Sequence, residues 1–556
     1  MYNWRLRLPE TMLTSDGRVE SPSTAPAGVP PGVTRGQVAA LLLILTFGFA
    51  VRLTALVGAL RTPGYTWDDP DGYMAQALRF ARPDGWAWTF DAVTYVINGQ
   101  RHALPPGYSL FLSVFALWPG FPLSAQVAQI CLAAASIALV FALGRRVHST
   151  RAGLVAAAVF AMWVPNIFGV WSTSQETLYL PLILTAFVLL ARAVDRDSRA
   201  PSFALAGFVF GAAALTRSMP LFFALPAAAA HVALARNRRR ASAQGLAFLV
   251  GFMVLTVPYS AALTRHFGQL TIIDTHGSIH LDSASGARAP SLLETAAGLW
   301  QRMRAAPADY FGGCVTRARS LLHVNGGRIL QIYVVAGSKA SAVAWKALVH
   351  LGSDALLVFG AVLAALGAAL CRQPRIAVLL LLWTALNVGI ASVGGFGGAR
   401  LRAPFEPFLV ILASVVVAGG WRRPHPAALG GALLAGLVAA AAVLPQIPNS
   451  LRSWPDYGIV WPSIFNRPAG QFVGAAGLNV PAFDGVATFT AVSPDLSPVQ
   501  LRVRAGGVHV RTLQVGPGET GTVRTRWPAR GLAFIELDQI DGSGAPAIIE
   551  VRVPGR

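Results

Sequence analysis

The sequence predicts a polytopic α-helical membrane protein of about eleven spans, followed by a β-sandwich-like extracytoplasmic domain. Three observations carry this. Of 556 residues, 54% are hydrophobic and only 13% charged, about half the charged share of a soluble globular chain, and the mean hydropathy is +0.53. Apolar runs of near-spanning length recur along the chain, against the roughly 20 residues that a bilayer crossing takes. Short basic clusters fall between alternate runs, the positive-inside pattern. Together these exclude a disordered chain and an ordinary soluble enzyme. The net charge of +20 does not point to nucleic acid, because the basic residues form no single patch. Nearly all are Arg, with Lys only at Lys339 and Lys346.

Residues 1–35 are polar and rich in Pro, Ser, Thr and Gly, and read as a disordered cytoplasmic tail. The apolar run from Val38 lies too far into the chain for a cleavable signal peptide and reads as a retained first helix. The spans run over 37–60, 122–144, 152–171, 174–194, 202–216, 219–235, 243–263, 350–371, 376–396, 404–421 and 425–445, within a transmembrane domain of 36–445. The stretch Tyr108–Trp118 is too short to cross and reads as re-entrant or interfacial. Placing the N-terminus inside puts Arg145/Arg146/Arg151, Arg192/Arg196/Arg199, Arg236/Arg238/Arg239/Arg240, Arg372/Arg375 and Arg422/Arg423 in successive inner turns. The outer segments are then the loops 61–121 and 264–349 and the tail 446–556. In that tail, period-two alternation such as Val499-Gln500-Leu501-Arg502-Val503-Arg504 predicts six to eight short antiparallel strands. Cys131, Cys314 and Cys371 are far apart and make neither a disulfide framework nor a cysteine metal site.

Several polar residues stand out against this apolar background. Trp67-Asp68-Asp69-Pro70-Asp71-Gly72-Tyr73 opens the first outer loop with three carboxylates in four residues. A general base, a divalent-metal pair or a solvated turn each account for them. Glu176 and Arg217 lie at the outer ends of spans, where ionisable groups face a cavity or a partner, or snorkel. Arg400, Arg402 and Glu406 crowd another outer mouth, and arginine forks suit phosphate. His276 and His280 alone do not make a metal site. Asp69, Pro105–Tyr108, Glu176, Arg217, His276, Arg400 and Arg402 all fall on one face in a topology derived without them. A carboxylate base and several arginines at the lipid boundary fit transfer from a phosphate-linked lipid donor.

In this order the motifs resemble those of GT-C glycosyltransferases, in particular the bacterial relatives of protein O-mannosyltransferases and of the lipid A aminoarabinose and galacturonic acid transferases. The resemblance covers about residues 37–445 and rests on Asp69-Pro70-Asp71-Gly72-Tyr73, Pro105–Phe111, Ser174–Leu178, Leu215–Arg217, Val257-Pro258-Tyr259 with Thr275-His276-Gly277-Ser278, and Arg400–Pro407. It implies an inverting transfer of a monosaccharide from a polyprenyl-phosphate donor to a hydroxyl on a lipid, glycan or protein, at the outer face of the cytoplasmic membrane. It implies Asp69 as catalytic base and Arg400 and Arg402 on the donor phosphate. Asp71, Tyr73, Tyr108, Glu176, Arg217 and His276 are the further substrate-binding candidates. No cofactor is required on this reading, although the Asp69-x-Asp71 spacing leaves a divalent ion open. The alternatives are a polymerase or ligase using a diphosphate-linked oligosaccharide, and a transporter or flippase of lipid-linked sugar.

Overall fold

The computed structural model describes residues 33–60, 73–81, 94–97, 100–118, 120–163, 166–167, 169–171, 174–273, 292–321, 356–393, 402–421 and 426–443, with six strands between residues 485 and 552. The chain is a polytopic α-helical membrane protein. Its helices are α1 Arg35–Leu60, α2 Tyr73–Phe80, α3 Gly107–Ala116, α4 Leu123–Val147, α5 Thr150–Ala161, α6 Glu176–Asp195, α7 Ala200–Ala214, α8 Pro220–Leu234 and α9 Arg238–Phe267. They continue as α10 Leu292–Ala305, α11 Pro307–Leu321, α12 Leu356–Leu370, α13 Pro374–Val393, α14 Glu406–Ala418 and α15 Pro426–Val443. A hairpin of β1 Thr94–Ile97 and β2 Gln100–Ala103 lies between α2 and α3.

Local chemistry sets the helix ends. Thr34 and Gln37 form a reciprocal capping box ahead of α1, with each side chain accepting from the other's backbone N–H. Ser149 caps α5 and Asn237 caps α9 through side-chain oxygens. Proline occupies the first turn of α7, α8 and α14. Gly268, at φ +65°, terminates α9.

Among the described helices, α1, α4, α6, α9 and α13 are long and apolar enough to cross a membrane. Of the eleven expected spans, five are thus helices of full spanning length among the described residues, and others are shorter. The runs at 152–171, 202–216, 219–235 and 404–421 fold as helices of 12, 15, 15 and 13 residues. At 1.5 Å per residue these reach about 18–22 Å, short of a hydrocarbon layer of about 30 Å. Composition extends an apolar run past the residues that end a helix. α5 stops at Ala161, although the apolar sequence continues to Trp171. α14 begins only after Pro404 and ends at Gly419, φ +69°. The segment 61–121 also holds α2, the hairpin and α3, and the segment 264–349 holds α10 and α11.

The helices meet through small residues and rings. Gly207 of α7 and Gly251 of α9 face the opposite backbone so closely that a Cβ on either would overlap Phe248 O or Ala204 O. Between helices in lipid, van der Waals packing and not water exclusion drives association, so this close approach matters. Phe187, Phe210, Phe223, Trp383 and Phe408 join α6, α7, α8, α13 and α14 in one aromatic cluster, with Phe187 and Phe408 at 4.6 Å. The Trp383 indole donates to Pro404 O at 2.8 Å, which satisfies its buried N–H.

In the C-terminal segment, β3 Gly485–Val492 pairs antiparallel with β6 Thr520–Trp527 and β8 Ile548–Arg552. β4 Val499–Ala505 pairs with β5 Val508–Val515 and β7 Ile535–Asp538, with a register shift at Val503/Arg504. The result is two three-stranded sheets.

A Gly207→Val chain should show a thermal midpoint several degrees lower in detergent, since overpacking of this kind costs about 1–3 kcal/mol or more. Gly389→Ala, where a Cβ meets nothing within 4 Å, should leave the midpoint unchanged or raise it. Equal midpoints for Gly207→Val and wild type would refute the close α7–α9 contact.

Candidate functional site

The site is built where α3 meets the end of α7. The Gly107 N–H donates to Leu215 O at 2.7 Å. A Cβ at Gly107 would lie 2.6 Å from Thr216 Oγ1 and 2.9 Å from Leu215 O, so only glycine permits this approach. It seats the start of α3 two residues from Arg217. Tyr108, fully buried, donates to Gln129 Oε1 of α4 at 2.6 Å and accepts from Ser174 N at 3.0 Å. Tyr73 of α2 packs edge-on against Tyr108, with ring centroids 5.2 Å apart, and donates to Gln175 Oε1 at 2.8 Å. Gln129 Nε2 donates to Val170 O at 2.7 Å. The Thr177 hydroxyl lies 2.9 Å from Gln129 Oε1 and 2.7 Å from Ser174 O.

These contacts fix Glu176, the first residue of α6, where the helix dipole favours a carboxylate. Glu176 Oε1 accepts from Arg217 Nη1 at 2.7 Å, and Oε2 accepts from Ser174 Oγ at 2.6 Å. Both side chains of the ion pair are about nine-tenths buried. The Arg217 guanidinium also stands 6.0 Å over the Tyr179 ring. Only Nη1 of Arg217 is engaged with an acceptor among the described residues. A fork with Nη2 and Nε left over is a donor set suited to phosphate oxygens.

Arg402 has a different setting. It is 1% exposed, and its Nε donates to Glu406 Oε1 at 3.0 Å, while Nη1 reaches Leu321 O at 3.4 Å. Glu406 Oε2 accepts from Trp163 Nε1 at 2.7 Å. Arg402 is therefore built into the start of α14 by an i,i+4 pair, and its guanidinium is closed off from solvent.

Sequence reading passed over Arg52. It is fully buried within α1. Its Nη1 donates to Gly48 O at 2.8 Å and Ala161 O at 3.0 Å, and its Nη2 donates to Asn166 Oδ1 at 2.5 Å. The signal was present as a single charge inside the first apolar run, which is costly and rarely idle. Gln129 was also missed, because an amide within an apolar helix carries no motif.

The described parts of the α5–α6 connection, residues 162–175, thus receive side chains from α1 (Arg52), α2 (Tyr73), α3 (Tyr108), α4 (Gln129) and α14 (Glu406). Of the residues singled out in the sequence, Tyr73, Tyr108, Glu176 and Arg217 come together here, and Arg402 forms the neighbouring pair. Asp68, Asp69, Asp71, His276 and Arg400 lie outside the described residues. Among the described residues no three His, Cys, Asp or Glu side chains are grouped to hold a metal ion.

Residues 104–261 match the family described as dolichyl-phosphate-mannose-protein mannosyltransferase. This agrees with the resemblance drawn from the motifs. The match is to under a third of the chain, and it contains Tyr108, Glu176 and Arg217. No curated protein matches in sequence. Among solved structures, the archaeal oligosaccharyltransferase AglB from Archaeoglobus fulgidus, in complex with an inhibitory peptide and a dolichol-phosphate, aligns at 14% identity and a TM-score of 0.41, over 75% of this chain and 56% of that one. ArnT from Cupriavidus metallidurans bound to undecaprenyl phosphate aligns at 15% identity and a TM-score of 0.41, over 74% of this chain and 65% of that one. The chain thus spans less than two thirds of the length of either protein.

Removing one partner of the buried pair strands the other. Arg217→Gln should cost about 3–5 kcal/mol of stability, and Glu176→Gln should also destabilise. The double variant should be more stable than the sum of the single losses implies, with a coupling of at least about 1 kcal/mol in a double-mutant cycle. Additive losses would show that the two side chains do not interact.

Proposed function

We propose that this chain transfers a monosaccharide from a polyprenyl-phosphate donor to a hydroxyl acceptor at the extracytoplasmic face of the cytoplasmic membrane, with inversion at the anomeric carbon. One observation carries the reading: the segment matched to the dolichyl-phosphate-mannose transferase family holds the buried Tyr108–Ser174–Glu176–Arg217 network, whose arginine keeps donor groups for an anion. The topology that goes with it has eleven crossings with the shorter apolar helices included, the N-terminus and residues 1–35 inside, and the β-rich segment 446–556 outside, as a cap or a glycan- or acceptor-ordering domain.

In the reaction, the acceptor O–H gives its proton to Asp69 as its oxygen attacks the anomeric carbon. The bond from that carbon to the phosphate oxygen breaks, and polyprenyl phosphate leaves. Asp69 is four residues from Tyr73, so the chain holds it within about 14 Å of Tyr73 Cα, and Tyr73 touches the residue beside Glu176. Arg217 and Arg400 offset the charge that develops on the leaving phosphate. Glu176 holds Arg217 in place. Arg402 and Glu406 fix the start of α14, and Arg400 is two residues from Arg402. Asp71 and His276 contribute to substrate binding from the two long loops. The chemistry needs no cofactor, and an Asp69/Asp71 metal would reveal itself as a loss of activity in EDTA.

Asp69→Asn should abolish transfer, by a factor of at least about 10², while membrane insertion and thermal midpoint stay at wild-type values. Full transfer activity in that variant would remove Asp69 from the mechanism.

A further inference from the structure

The Glu176–Arg217 pair shares its face of α6 with a hydroxyl that has no partner. Tyr179 is fully buried, and its phenol oxygen makes no hydrogen bond among the described residues. It stands three residues along α6 from Glu176, the spacing that puts two side chains on one helix face. Side chains on a helix lean towards its N-terminus, which carries the Tyr179 ring back to the level of Glu176. The Arg217 guanidinium bridges the two: Nη1 donates to Glu176 Oε1 at 2.7 Å, and the guanidinium carbon lies 6.0 Å over the Tyr179 ring.

A buried hydroxyl without a partner costs stability, whereas a phenylalanine would fill the same space at no such cost. The other two phenols of this region are matched: Tyr108 donates to Gln129 and accepts from Ser174 N, and Tyr73 donates to Gln175. The Tyr179 hydroxyl stands instead beside an arginine whose Nη2 and Nε engage no acceptor among the described residues. Two kinds of donor thus meet on one face with no acceptor between them. A phosphate supplies what is missing, since its oxygens accept from an arginine fork and from a hydroxyl at once. Glu176 already offsets the charge of Arg217, so a neutral hydroxyl adds to the hold on an anion without burying a further charge.

We propose that the Tyr179 hydroxyl is a further donor to the phosphate of the polyprenyl-phosphate carrier, acting beside Arg217; the assignment rests on the transfer reaction proposed above. Tyr179 keeps its proton throughout. As the bond from the anomeric carbon to the phosphate oxygen breaks, the electron pair goes to that oxygen and the phosphate gains a negative charge. A hydrogen bond to the more highly charged phosphate is the stronger one, so Tyr179 favours the departing carrier over the intact donor.

The test uses the full chain in nanodiscs of phosphatidylcholine. It reads the thermal midpoint without added ligand and the affinity for undecaprenyl phosphate, with undecaprenol and inorganic phosphate as comparison probes. The wild type should bind undecaprenyl phosphate more tightly than either comparison probe. Tyr179→Phe keeps the ring under Arg217, so its midpoint should equal or exceed that of the wild type. Its affinity for undecaprenyl phosphate should nevertheless fall by at least about tenfold, with undecaprenol binding unchanged. A lower midpoint for Tyr179→Phe would show that the hydroxyl has a partner in the free protein. Wild-type affinity in that variant would show that the phosphate does not use the hydroxyl, and an equal loss of undecaprenol binding would show a packing effect. Each of these three results overturns the assignment and leaves the transfer reaction standing. A wild type that binds undecaprenyl phosphate no better than undecaprenol or inorganic phosphate would count against the carrier itself, and so against both the reaction and the role of Tyr179.

Discussion

The constraint on which the rest of the structure depends is the irregular chain between α5 and α6. A break in regular α-helix among apolar helices exposes backbone groups that lipid cannot satisfy, and it is tolerated only where protein groups take their place. Five elements hold its described residues: Gln129 and Tyr108 satisfy the backbone at Val170 O and Ser174 N, while Arg52, Tyr73 and Glu406 hold the side chains of Asn166, Gln175 and Trp163. Each charge drawn into the apolar interior is answered in turn: Arg217 by Glu176, Arg402 by Glu406, and Arg52 by two backbone carbonyls and an amide. The orientation of Glu176 and Arg217, and with it the spare half of the arginine fork, follows from that scaffold.

The sequence showed which residues are unusual but not which of them meet. Glu176 and Arg217 stand out as ionisable groups near hydrocarbon, yet they are 41 residues apart, and nothing in a single sequence pairs a helix start with a turn that far along the chain. Arg402 and Glu406, four apart at a helix start, carry the spacing of an intrahelical pair. Arg52 was legible as an isolated charge in an apolar run and was passed over because the run as a whole read so clearly as a span. Span length was over-read for a physical reason: hydropathy reports which residues suit lipid, whereas Pro, Gly and capping side chains decide where a helix stops. The β-strands of the tail emerged from period-two alternation, since that period survives without knowledge of partners.

α6 carries charge at both of its ends. Its first residue holds Arg217, and its last turn carries Arg192 and Asp195, with Asp195 3.6 Å from Arg146 of α4. The helix is packed through Phe187 into the aromatic cluster between these ends.

The most direct test of the proposed reaction is release of the lipid carrier. The purified full chain is incubated with a panel of polyprenyl-phosphate monosaccharides and candidate hydroxyl acceptors, and free polyprenyl phosphate is measured. The account calls for its appearance with at least one donor, in step with glycosylated acceptor. No release with any donor, together with vectorial movement of intact lipid-linked sugar across a vesicle membrane, would contradict it and identify a transporter.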